Sequence, residues 1–288
     1  MLEAISKMLP DVIYLKWVYY LRTGKHLNLD NPKTFNEKIQ WLKLHNTSDE
    51  CTRSVDKYEV RQLIAEKIGK DYLIPMLGCW DSFEEIDFDS LPDQFVLKCT
   101  HDSGSVVICR DKNTFNIGSA KAKLDAAMKH NFFWVGREYP YKYVKPRIIC
   151  EKLMKDAESD DLVDYKFLCF NGQPKVLFYA SERYTSKDKV AKFDFYDMNL
   201  THMPIKSAGH ENSTIPPSIT IENFNKMKEL CCVLSKGYPH VRVDFYVING
   251  KIYFGEITFH HDGGFVQLEP EEWNMTFGNW IRLPFEKV

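Results

Sequence analysis

Hydrophobic and polar positions recur along the chain with two different periods, and the change between them divides the sequence. Up to about residue 70, apolar side chains recur every three or four positions, as in amphipathic helices. Thr34, with Glu37 three residues later, forms a capping-box pattern that predicts a helix start, and Gly69 is placed to end the last helix of this part. The predicted helices lie in the strings DVIYLKWVYYLRTG, TFNEKIQWLKLHN and VDKYEVRQLIAEKIG.

From about residue 72 onward, short apolar runs separated by turn residues predict β-strands. Helices are predicted only at about 119–131 and in IENFNKMKELCCVLSKG. Hairpins with occasional helices, rather than a regular βαβ alternation, favour an α+β fold with mainly antiparallel sheets. The strands are predicted in YLIPMLGCW, QFVLKCTH, SVVICRD, RIICEKLM, DYKFLCFNG, KVLFYASE, AKFDFYDM and HVRVDFYVINGKIYFGEIT.

Length and charge narrow the class of protein. The 288 residues suffice for one large domain or two smaller ones, which would have to lie closely together because no long linker separates them. A formal net charge of −2 gives no indication of nucleic-acid binding. Apolar runs fall well short of the roughly 20 residues that cross a bilayer, and Glu3, Lys7 and Asp11 interrupt the place where a signal peptide needs an apolar core. A cytoplasmic location is predicted.

The eight cysteines indicate reduced thiols. They show no CxxC spacing and mostly lie inside apolar, strand-like runs. This pattern is typical of buried thiols and argues against both a disulfide framework and a zinc site.

The last two predicted strands carry charged side chains within an apolar pattern. Arg242 and Asp244 share one face of their strand, and Glu256 and Thr258 share one face of the next. The sequence ING at 248–250 predicts the turn between them. Two carboxylates beside an arginine suit a hard cation such as Mg²⁺, which takes oxygen ligands and bridges to nucleotide phosphates. A surface salt bridge is the alternative.

Whether the two carboxylates meet depends on the length of that turn. A two-residue turn would place Asp244 opposite Gly255, with Glu256 on the other face. A three-residue loop with Gly250 in a left-handed bulge would bring Asp244 and Glu256 together. The two-residue turn gives the cleaner apolar face, but a sheet covered on both sides need not alternate cleanly. The hypothesis of a shared site therefore requires the three-residue loop.

Two other segments are candidates for binding a nucleotide. In FVLKCTHDSGSVVICRD a loop follows Lys98, and backbone N–H groups of such a loop surround phosphate oxygens in other proteins; an ordinary hairpin turn is the alternative. In RIICEKLMKD a strand ends with Glu151, where free backbone groups could meet an adenine edge; a charge that reaches solvent is the alternative. The loop residues in question are Ser103, Gly104 and Ser105.

Taken in this order, the segments resemble the ATP-grasp superfamily of ligases over most of the chain. RVDFYVINGKIYFGEIT is similar to the metal-binding hairpin of the D-alanine–D-alanine ligases, where an Arg, an Asp and a Glu-x-Asn bind ATP, magnesium and an acyl phosphate. NPKTFNEKIQWLK, LPDQFVLKCTHDSG, DYKFLCFNG and YFGEITF together resemble the TupA-like branch, which is linked to teichuronopeptide and polysaccharide assembly.

The resemblance implies an ATP-grasp fold, in which two antiparallel-sheet α+β subdomains grip ATP. On this interpretation residues 1–71 form a helical N-terminal segment and residues 72–147 a subdomain with the phosphate loop. Residues 148–288 form a subdomain with the adenine hinge and the metal hairpin.

The resemblance also implies roles for individual residues. Lys57 and Lys98 would contact phosphates, Glu151 the adenine amino group, and the backbone of Lys152 and Met154 the adenine ring edge. The remaining implied roles are Asp164 near the ribose, Arg242 in catalysis together with Lys98, Asp244 and Glu256 on Mg²⁺, and Lys166 and Arg183 as further phosphate or carboxylate contacts.

This sequence departs from the superfamily pattern near its end. Thr258 stands where the superfamily has an Asn metal ligand, so the metal would be held more weakly there. The string HHDGGF also lacks the proline common at this place in the ligases. His260, His261 and Asp262 are therefore candidates for the substrate side only, with plain loop residues as the alternative.

The implied activity is an ADP-forming carboxylate–amine ligase that uses ATP and Mg²⁺. The branch implies a uronic acid of a surface polysaccharide as the acid and an amino acid or small amine as its partner. A glycosyltransferase, suggested by the branch's usual label and by the string DFD at 87–89, is the rival enzyme, although DFD fits a solvated acidic loop. A non-catalytic nucleotide-binding module is the other rival. Peripheral membrane association stays open, but no basic amphipathic helix in the sequence argues strongly for it.

Overall fold

The chain is divided into two units, each built around its own antiparallel sheet. The computed structural model describes residues 6–157, 162–181, 191–213 and 215–284. One unit consists of residues 1–9 and 46–154, and the other of residues 10–45 and 155–288. We call them the first unit and the second unit. The structure is α+β with antiparallel sheets, as the sequence predicted.

The described helices and strands are numbered in chain order. The helices are α1 (Asp11–Thr23), α2 (Phe35–His45), α3 (Asp49–Val55), α4 (Val60–Lys67), α5 (Ile117–Met128), α6 (Phe133–Gly136), α7 (Ile221–Leu234) and α8 (Glu272–Trp280). The strands are β1 (Met76–Trp80), β2 (Phe95–Cys99), β3 (Val106–Cys109), β4 (Ile148–Lys152), β5 (Asp164–Phe170), β6 (Gln173–Ser181), β7 (Lys192–Tyr196), β8 (Lys206–Ser207), β9 (His240–Ile248), β10 (Lys251–Thr258) and β11 (Leu268–Glu269).

The first unit contains a four-stranded sheet in the order β1-β4-β2-β3. Ile148 and Cys150 of β4 lie in the same buried cluster as Phe95 and Leu97 of β2, and Leu124 of α5 packs into it. This pairing places β4 in the first sheet. The predicted boundary at 147 therefore does not coincide with a unit boundary, because the strand after it pairs with the strands before it.

The second unit contains a five-stranded sheet in the order β10-β9-β5-β6-β7 and a two-stranded sheet of β8 and β11. Helix α2 belongs to this unit, since Phe35, Ile39 and Leu42 pack into one buried cluster with Leu168 and Phe277. The predicted helical segment 1–71 is thus shared between the two units. Long-range packing of an apolar helix face decides this division, and local sequence pattern does not reveal it.

The capping box at the start of α2 is confirmed. The Thr34 N–H donates to Glu37 Oε2 at 3.0 Å, and the Glu37 N–H donates to Thr34 Oγ1 at 3.2 Å. These reciprocal bonds satisfy N–H groups that have no partner within the helix. The helix is therefore fixed at the place that the sequence predicts.

The third predicted helix was wrong at its beginning. The run VDKYEVRQLIAEKIG is interrupted after α3, and α4 begins only at Val60. Asp56 causes the break, because its Oδ1 accepts the N–H of Tyr58 at 2.8 Å and that of Glu59 at 3.3 Å. Lys57 lies in this turn rather than in a helix. Each predicted strand string contains a strand, whereas α8 and the short strands β8 and β11 were not predicted.

No helix among the described residues has both the length and the apolar character that crossing a membrane requires.

Candidate active site

The hairpin of β9 and β10 has a two-residue turn, not the three-residue loop that the hypothesis of a shared site required. Asn249 and Gly250 have φ angles of 50° and 74°, and Ile248 pairs with Lys251. This is a two-residue turn with both central residues left-handed, the form that matches the twist of a hairpin. The predicted three-residue loop with a bulge at Gly250 is therefore wrong.

The carboxylates nevertheless come together, because the bulge lies five residues further along. The register is regular from Lys251 to Phe254, shifts at Gly255, and then pairs Glu256 with Asp244. A Cβ on Gly255 would lie only 3.0 Å from the Asp244 carbonyl oxygen, so the bulge favours glycine at this position. The extra residue reverses the face on which the following side chains lie.

The bulge also resolves the conflict between the apolar face and the charged face. Before it, Ile252 and Phe254 are buried, and after it Ile257 is buried while Glu256 is exposed. A hairpin without a bulge would satisfy only one of these requirements, because its side chains alternate strictly. The sheet therefore keeps its core and still brings two acidic side chains to one place.

Arg242 lies between the two carboxylates. Its Nε donates to Asp244 Oδ1 and its Nη2 to Asp244 Oδ2, both at 2.7 Å, and Nη2 also donates to Glu256 Oε1. Its Nη1 lies 3.1 Å from His261 Nδ1, which accepts this bond. A guanidinium held on three sides has a fixed orientation.

Lys166 extends the network into the next strand. Its Nζ lies 2.6 Å from Asp244 Oδ2 and 3.3 Å from Asp164 Oδ2. Lys166 faces Asp244 in the register of β5 with β9, so its position follows directly from the sheet. Four predicted residues on two neighbouring strands thus share one cluster, namely Asp164 and Lys166 on β5 and Arg242 and Asp244 on β9.

Burial and charge act in opposite directions on the groups of this cluster. Burial alone would raise the pKa of Asp244, but Arg242 and Lys166 outweigh it and hold that pKa below its usual value. Burial would likewise lower the pKa of Arg242, whereas Asp244 and Glu256 raise it. Burial, reinforced by Arg242, lowers the pKa of His261 well below its usual value. His261 is therefore neutral and can accept the bond from Arg242.

The two carboxylates differ in their access to solvent. The Asp244 side chain is 2% exposed, whereas the Glu256 side chain is 49% exposed. Thr258 Oγ1 donates to Glu256 Oε1 at 3.1 Å, so the hydroxyl lies beside the accessible carboxylate. The cluster has a buried end that is held by cations and an open end that offers oxygens.

The open end fits a magnesium ion in its donor chemistry. Mg²⁺ prefers oxygen ligands and is often held by one or two carboxylates, with phosphate oxygens and water completing the shell. Glu256 and the Thr258 hydroxyl supply oxygens of this kind at the open end. Asp244 lies behind them at the buried end, where its two oxygens accept from Arg242 and Lys166. Among the residues that the structure describes, no three His, Cys, Asp or Glu side chains form a metal site by themselves.

The first unit contains a separate charged cluster around Glu151. Glu151 is buried, with 8% of its surface exposed. Its carboxylate lies 2.7 Å from Lys98 Nζ and 3.0 Å from Arg61 Nη1. The predicted need of Glu151 for a polar partner is thus met by two cations. Arg61, which also donates to the Ile74 carbonyl at 2.7 Å, was not recognised from the sequence.

Lys57 lies against the predicted phosphate loop. Its N–H donates to the Thr100 carbonyl at 3.1 Å, and its Nζ donates to the Asp102 carbonyl. Ser105 Oγ donates to Asp102 Oδ1 at 2.5 Å and accepts the Cys99 N–H at 3.1 Å. The loop is therefore held in shape by its own side chains. Of the other two loop residues, Gly104 has a φ of 106°, and Ser103 lies between it and Asp102.

The structure also locates the other predicted residues. The Lys152 N–H donates to the Pro75 carbonyl at 2.9 Å, and Met154 is half-buried just after β4. His260 is buried, and Asp262 is exposed with a left-handed φ of 48°. Arg183 lies outside the described residues.

Gln40 is a further residue that the sequence did not suggest. It is fully buried on α2, and its Nε2 donates to the Gly263 and Gly264 carbonyls at 2.9 and 3.0 Å. A Cβ on Gly264 would lie 2.8 Å from this nitrogen. The segment that follows β10 is thus held against α2, by a contact between positions more than 200 residues apart that no local pattern signals.

Solved structures with a similar chain trace come from ligases. A D-alanine–D-alanine ligase of Bacillus anthracis complexed with ATP is 16% identical, with a TM-score of 0.43, and the match covers 72% of this chain and 55% of that one. The enzyme of Helicobacter pylori is 14% identical, with a TM-score of 0.42, and the match covers 88% of this chain and 70% of that one. The N5-carboxyaminoimidazole ribonucleotide synthetase of Thermus thermophilus is 10% identical, with a TM-score of 0.39, and the match covers 72% of this chain and 45% of that one.

This chain spans about half the length of the Bacillus anthracis enzyme. No curated protein matches it. The model of the family described as TupA-like ATPgrasp matches residues 37–282, a range that includes most of α2, both large sheets and the charged hairpin. The chain therefore belongs to the TupA-like ATP-grasp family.

Proposed function

We propose that this protein is an ATP-dependent ligase that joins a carboxylate to an amine through an acyl phosphate. The observation that carries the proposal is the cluster at the Gly255 bulge, where Arg242 is fixed between Asp244 and Glu256. This cluster combines a fixed cation with an accessible carboxylate in a member of an ATP-grasp family. Such a combination suits the transfer of a phosphoryl group.

The proposed reaction has two steps. An oxygen of the substrate carboxylate attacks the γ-phosphorus of ATP, the bond to the β–γ bridging oxygen breaks, and ADP leaves. The amine nitrogen then attacks the acyl carbon, inorganic phosphate leaves with the bonding electrons, and the amine loses a proton to form the amide. No protein nucleophile is needed, so catalysis rests on positioning and on stabilisation of charge.

The residues of the second unit would stabilise charge on the transferring group. Arg242 would face the acyl phosphate, and Lys166 would hold Asp244 ionised and in place. Asp164, at the start of β5, would bind the ribose. Asp244, Glu256 and Thr258 would hold Mg²⁺, which neutralises phosphate charge when it is bound.

The residues of the first unit would bind the nucleotide. Lys57, Lys98 and the backbone of residues 103–105 would contact its phosphates. Glu151 orients Lys98 in the structure, and we propose that the same carboxylate meets the adenine amino group. The backbone of Lys152 and Met154 would contact the adenine ring edge.

For the substrates we propose a uronic acid of a surface polysaccharide and an amino acid or another small amine. The support is membership of the TupA-like family, together with the resemblance of that branch to polysaccharide-assembly proteins. The proposal places the protein in the cytoplasm, where ATP is available. His260, His261 and Asp262 would lie on the substrate side.

The test is release of ADP when uronic acids are combined with amines, with the amide detected by mass spectrometry. We expect Glu256→Gln to lower ADP release by about 100-fold or more, since several kcal/mol of charge stabilisation would be lost with the ligand. Asp244→Asn should have at least as large an effect. Glu229→Gln is the matched control, because Glu229 is an exposed acid that pairs with Lys226 on α7.

Glu256→Gln is the decisive variant because its side chain is half exposed and its loss should leave the fold intact. Asp244→Asn leaves Arg242 and Lys166 buried beside a neutral group, so its folding needs a check by circular dichroism. Turnover by folded Glu256→Gln at the level of Glu229→Gln would contradict the site assignment. Hydrolysis of a sugar nucleotide without ATP would favour a glycosyltransferase, and ATP binding without ADP formation across the screen would favour a non-catalytic module.

A further inference from the structure

Helix α2 carries polar side chains within the part of its surface that is buried. Asn36 and Gln40 are 4% and 0% exposed, and Lys43 is 1% exposed. Their spacing of four and then three positions places the three side chains on one face of the helix. We call these residues the polar stripe. A buried polar group lowers stability unless it is hydrogen-bonded, so the polar stripe needs partners inside the protein.

The polar stripe holds the backbone of the segment that follows β10. The Asn36 side chain bonds to both backbone groups of Val266: its Nδ2 donates to the carbonyl at 2.7 Å, and its Oδ1 accepts the N–H at 3.1 Å. Gln40 Nε2 donates to the Gly263 and Gly264 carbonyls at 2.9 and 3.0 Å. Two buried side chains of α2 thus fix the position of this segment.

The backbone of this segment has an uncommon conformation. Asp262, Gly263 and Gly264 follow one another with φ angles of 48°, 58° and 71°, all of them left-handed. This conformation costs free energy for an L-residue such as Asp262, and it persists only where the surrounding structure fixes it. The polar stripe provides such surroundings, since Lys43 Nζ also lies 5.1 Å from the centre of the Phe265 ring, directly after the left-handed run.

His261 connects this segment to the charged hairpin. It directly precedes the left-handed run, and its Nδ1 accepts from Arg242 Nη1 at 3.1 Å. Its ring lies 5.5 Å from that of Phe178 on β6. Asp244 and Glu256 hold the guanidinium from within the hairpin and offset part of its charge. His261 is neutral, so it orients the guanidinium without offsetting more of that charge.

We propose that the polar stripe of α2 positions Arg242 through His261. Asn36 and Gln40 fix the segment, the segment fixes the histidine, and the histidine fixes the guanidinium. Gln40 and His261 are therefore positioning residues and not catalytic residues. This role rests on the proposed function, in which Arg242 stabilises charge on the transferring group. The string NPKTFNEKIQWLK, which carries part of the family resemblance and takes no part in the proposed reaction, thereby acquires a role.

Two substitutions remove these contacts with little change of side-chain volume. Gln40→Met cannot donate to the two carbonyls, and His261→Phe keeps an aromatic ring but cannot accept from Arg242. His261→Asn is the conservative variant, because its Oδ1 can replace Nδ1 as the acceptor. The matched control is Lys38→Met: Lys38 is 4% exposed on the same helix, but its Nζ donates to the Ile281 carbonyl at 2.7 Å, outside the segment.

The first measurement needs no substrate and follows the side-chain N–H groups of Arg242 by NMR, with their signals identified by their loss in Arg242→Lys. We expect Gln40→Met and His261→Phe to shift the Nε–H signal and to speed the exchange of its proton with water, because the guanidinium loses a fixed partner. His261→Asn and Lys38→Met should leave the signal close to its position in the natural chain.

The second measurement is the rate of ADP release with ATP, an acid and an amine. His261→Phe should lower kcat by roughly 10–100-fold and Gln40→Met by roughly tenfold, as is usual when a residue that orients an active group is lost. The KM for ATP should stay unchanged, because the lost interaction acts in the transition state. The variant with both substitutions should be no slower than His261→Phe alone, since both act through one contact. Lys38→Met should keep the kcat of the natural chain even where it lowers the thermal midpoint.

Three results would overturn the proposal. The first is an Arg242 signal that does not respond to Gln40→Met, and the second is an equal kcat for folded Gln40→Met and Lys38→Met. The third is an equal loss of kcat in His261→Asn and His261→Phe, which would leave only a structural role for the histidine. If Gln40→Met does not fold, Gln40→Glu replaces it, because this side chain has the same shape and at most one donor.

The two measurements separate this proposal from the proposed function. A natural chain that releases no ADP with any acid and amine, but whose Arg242 signal responds to Gln40→Met and not to Lys38→Met, would contradict the ligase and support the positioning. A chain that releases ADP, but whose Arg242 signal and kcat do not respond to Gln40→Met, would support the ligase and contradict the positioning.

Discussion

Histidines beside the charged hairpin are kept neutral by their burial. His240 lies two residues before Arg242 with no exposed surface, and its ring lies 5.0 Å from that of Phe35 and 4.9 Å from that of Phe170. Burial, reinforced by His260, lowers the pKa of His240 to about 3. His261 is neutral for a similar reason and accepts from Arg242. At the scale of single residues, the apolar surroundings therefore decide which groups near the site carry charge.

A dependence of stability on pH follows from His240. In the unfolded chain this residue gains a proton below about pH 6.5, whereas in the folded chain it stays neutral down to about pH 3. The unfolded state thus binds more protons in this window, and the free energy of unfolding falls as the pH falls, with a slope of up to about 1.4 kcal/mol per pH unit from this group. We expect His240→Leu to flatten the profile between pH 6.5 and pH 3, as measured by urea unfolding.

Phe170→Leu is the control for that experiment. It removes packing beside the same ring but keeps the histidine, so it should lower stability at every pH without changing the slope. An unchanged slope in His240→Leu would show that another group causes the loss of stability in acid.

At this scale, the sequence predicted correctly that the two carboxylates and Arg242 lie together, but it predicted the wrong position for the bulge that brings them together. Asp244, Glu256 and Arg242 share one cluster, as the hypothesis required. The β-bulge that brings the two carboxylates to one face was predicted at Gly250 but lies at Gly255. Both glycines fit a bulge locally, and only the combined demands of the apolar core and of the turn distinguish them. Gln40 and Arg61 could not be predicted, because their partners are set by tertiary contacts.

At the scale of elements, the contact between α2 and α8 depends on a glycine. A Cβ on Gly278 of α8 would lie 2.1 Å from the Lys33 carbonyl oxygen and 2.7 Å from the Thr34 carbonyl carbon. These are backbone atoms at the start of α2, so they cannot move aside as a flexible side chain would. The close approach places α8 against the capping box that fixes the beginning of α2.

Whether a Gly→Ala substitution stabilises or destabilises the protein should therefore depend on the helix in which the glycine lies. Gly278→Ala should destabilise the protein by about 1–3 kcal/mol, because the methyl group overlaps backbone atoms and forces the helices apart. Gly118→Ala on α5 should be neutral or stabilise by up to about 1 kcal/mol, because its nearest atom, Asn116 Oδ1, lies at an ordinary 3.5 Å and alanine favours helix. Thermal and urea unfolding would measure both changes. Equal effects of the two substitutions would contradict the close contact.

Most elements could be predicted because their patterns are local. The strands from β1 to β10, apart from the short β8, lie in runs that the apolar pattern marked, and α2 begins at its capping box. Helix α8 was missed because Trp273, Phe277 and Trp280 become meaningful only against Phe35 and Phe170. The break before α4 was missed because a single Asp56 side chain outweighs a helical pattern.

At the scale of the whole molecule, the protein is held together without disulfide bonds. All eight cysteines are free, six of them buried and two half-buried, and they occur in both units. Burial raises the pKa of thiols in the first unit to about 11 for Cys99 and to about 12 for Cys150, and it also raises the pKa of Cys231 in the second unit. Because the thiolate is the reactive form, these thiols should react slowly in the folded chain.

A count of thiols tests this state of the cysteines. We expect a disulfide reagent such as Ellman's reagent to modify Cys79 and Cys232 first, since they are the two half-buried thiols, and all eight only in denaturant. A reducing agent should leave the thermal midpoint unchanged. Fewer than eight thiols in denaturant, or a midpoint that falls on reduction, would contradict the prediction.

The division into units is the feature at this scale that the sequence did not reveal. Composition is even along the chain, and no linker marks a boundary. The boundaries that the resemblance implied, at 71 and 147, follow the order of elements, whereas the units follow which apolar faces pack together. Helix α2 lies far in sequence from β5 and β6, yet it shares their buried cluster.

The bulge at Gly255 has a consequence for how this protein can vary in evolution. In an unbulged hairpin with a two-residue turn, facing positions are separated by an odd number along the chain, whereas positions 244 and 256 are separated by an even number. Gain or loss of a single amino acid between them would reverse the side on which one acid lies. Functional descendants should therefore acquire insertions or deletions in this stretch only as compensating pairs, so that a change of loop length here can be used to recognise copies that have lost the original activity.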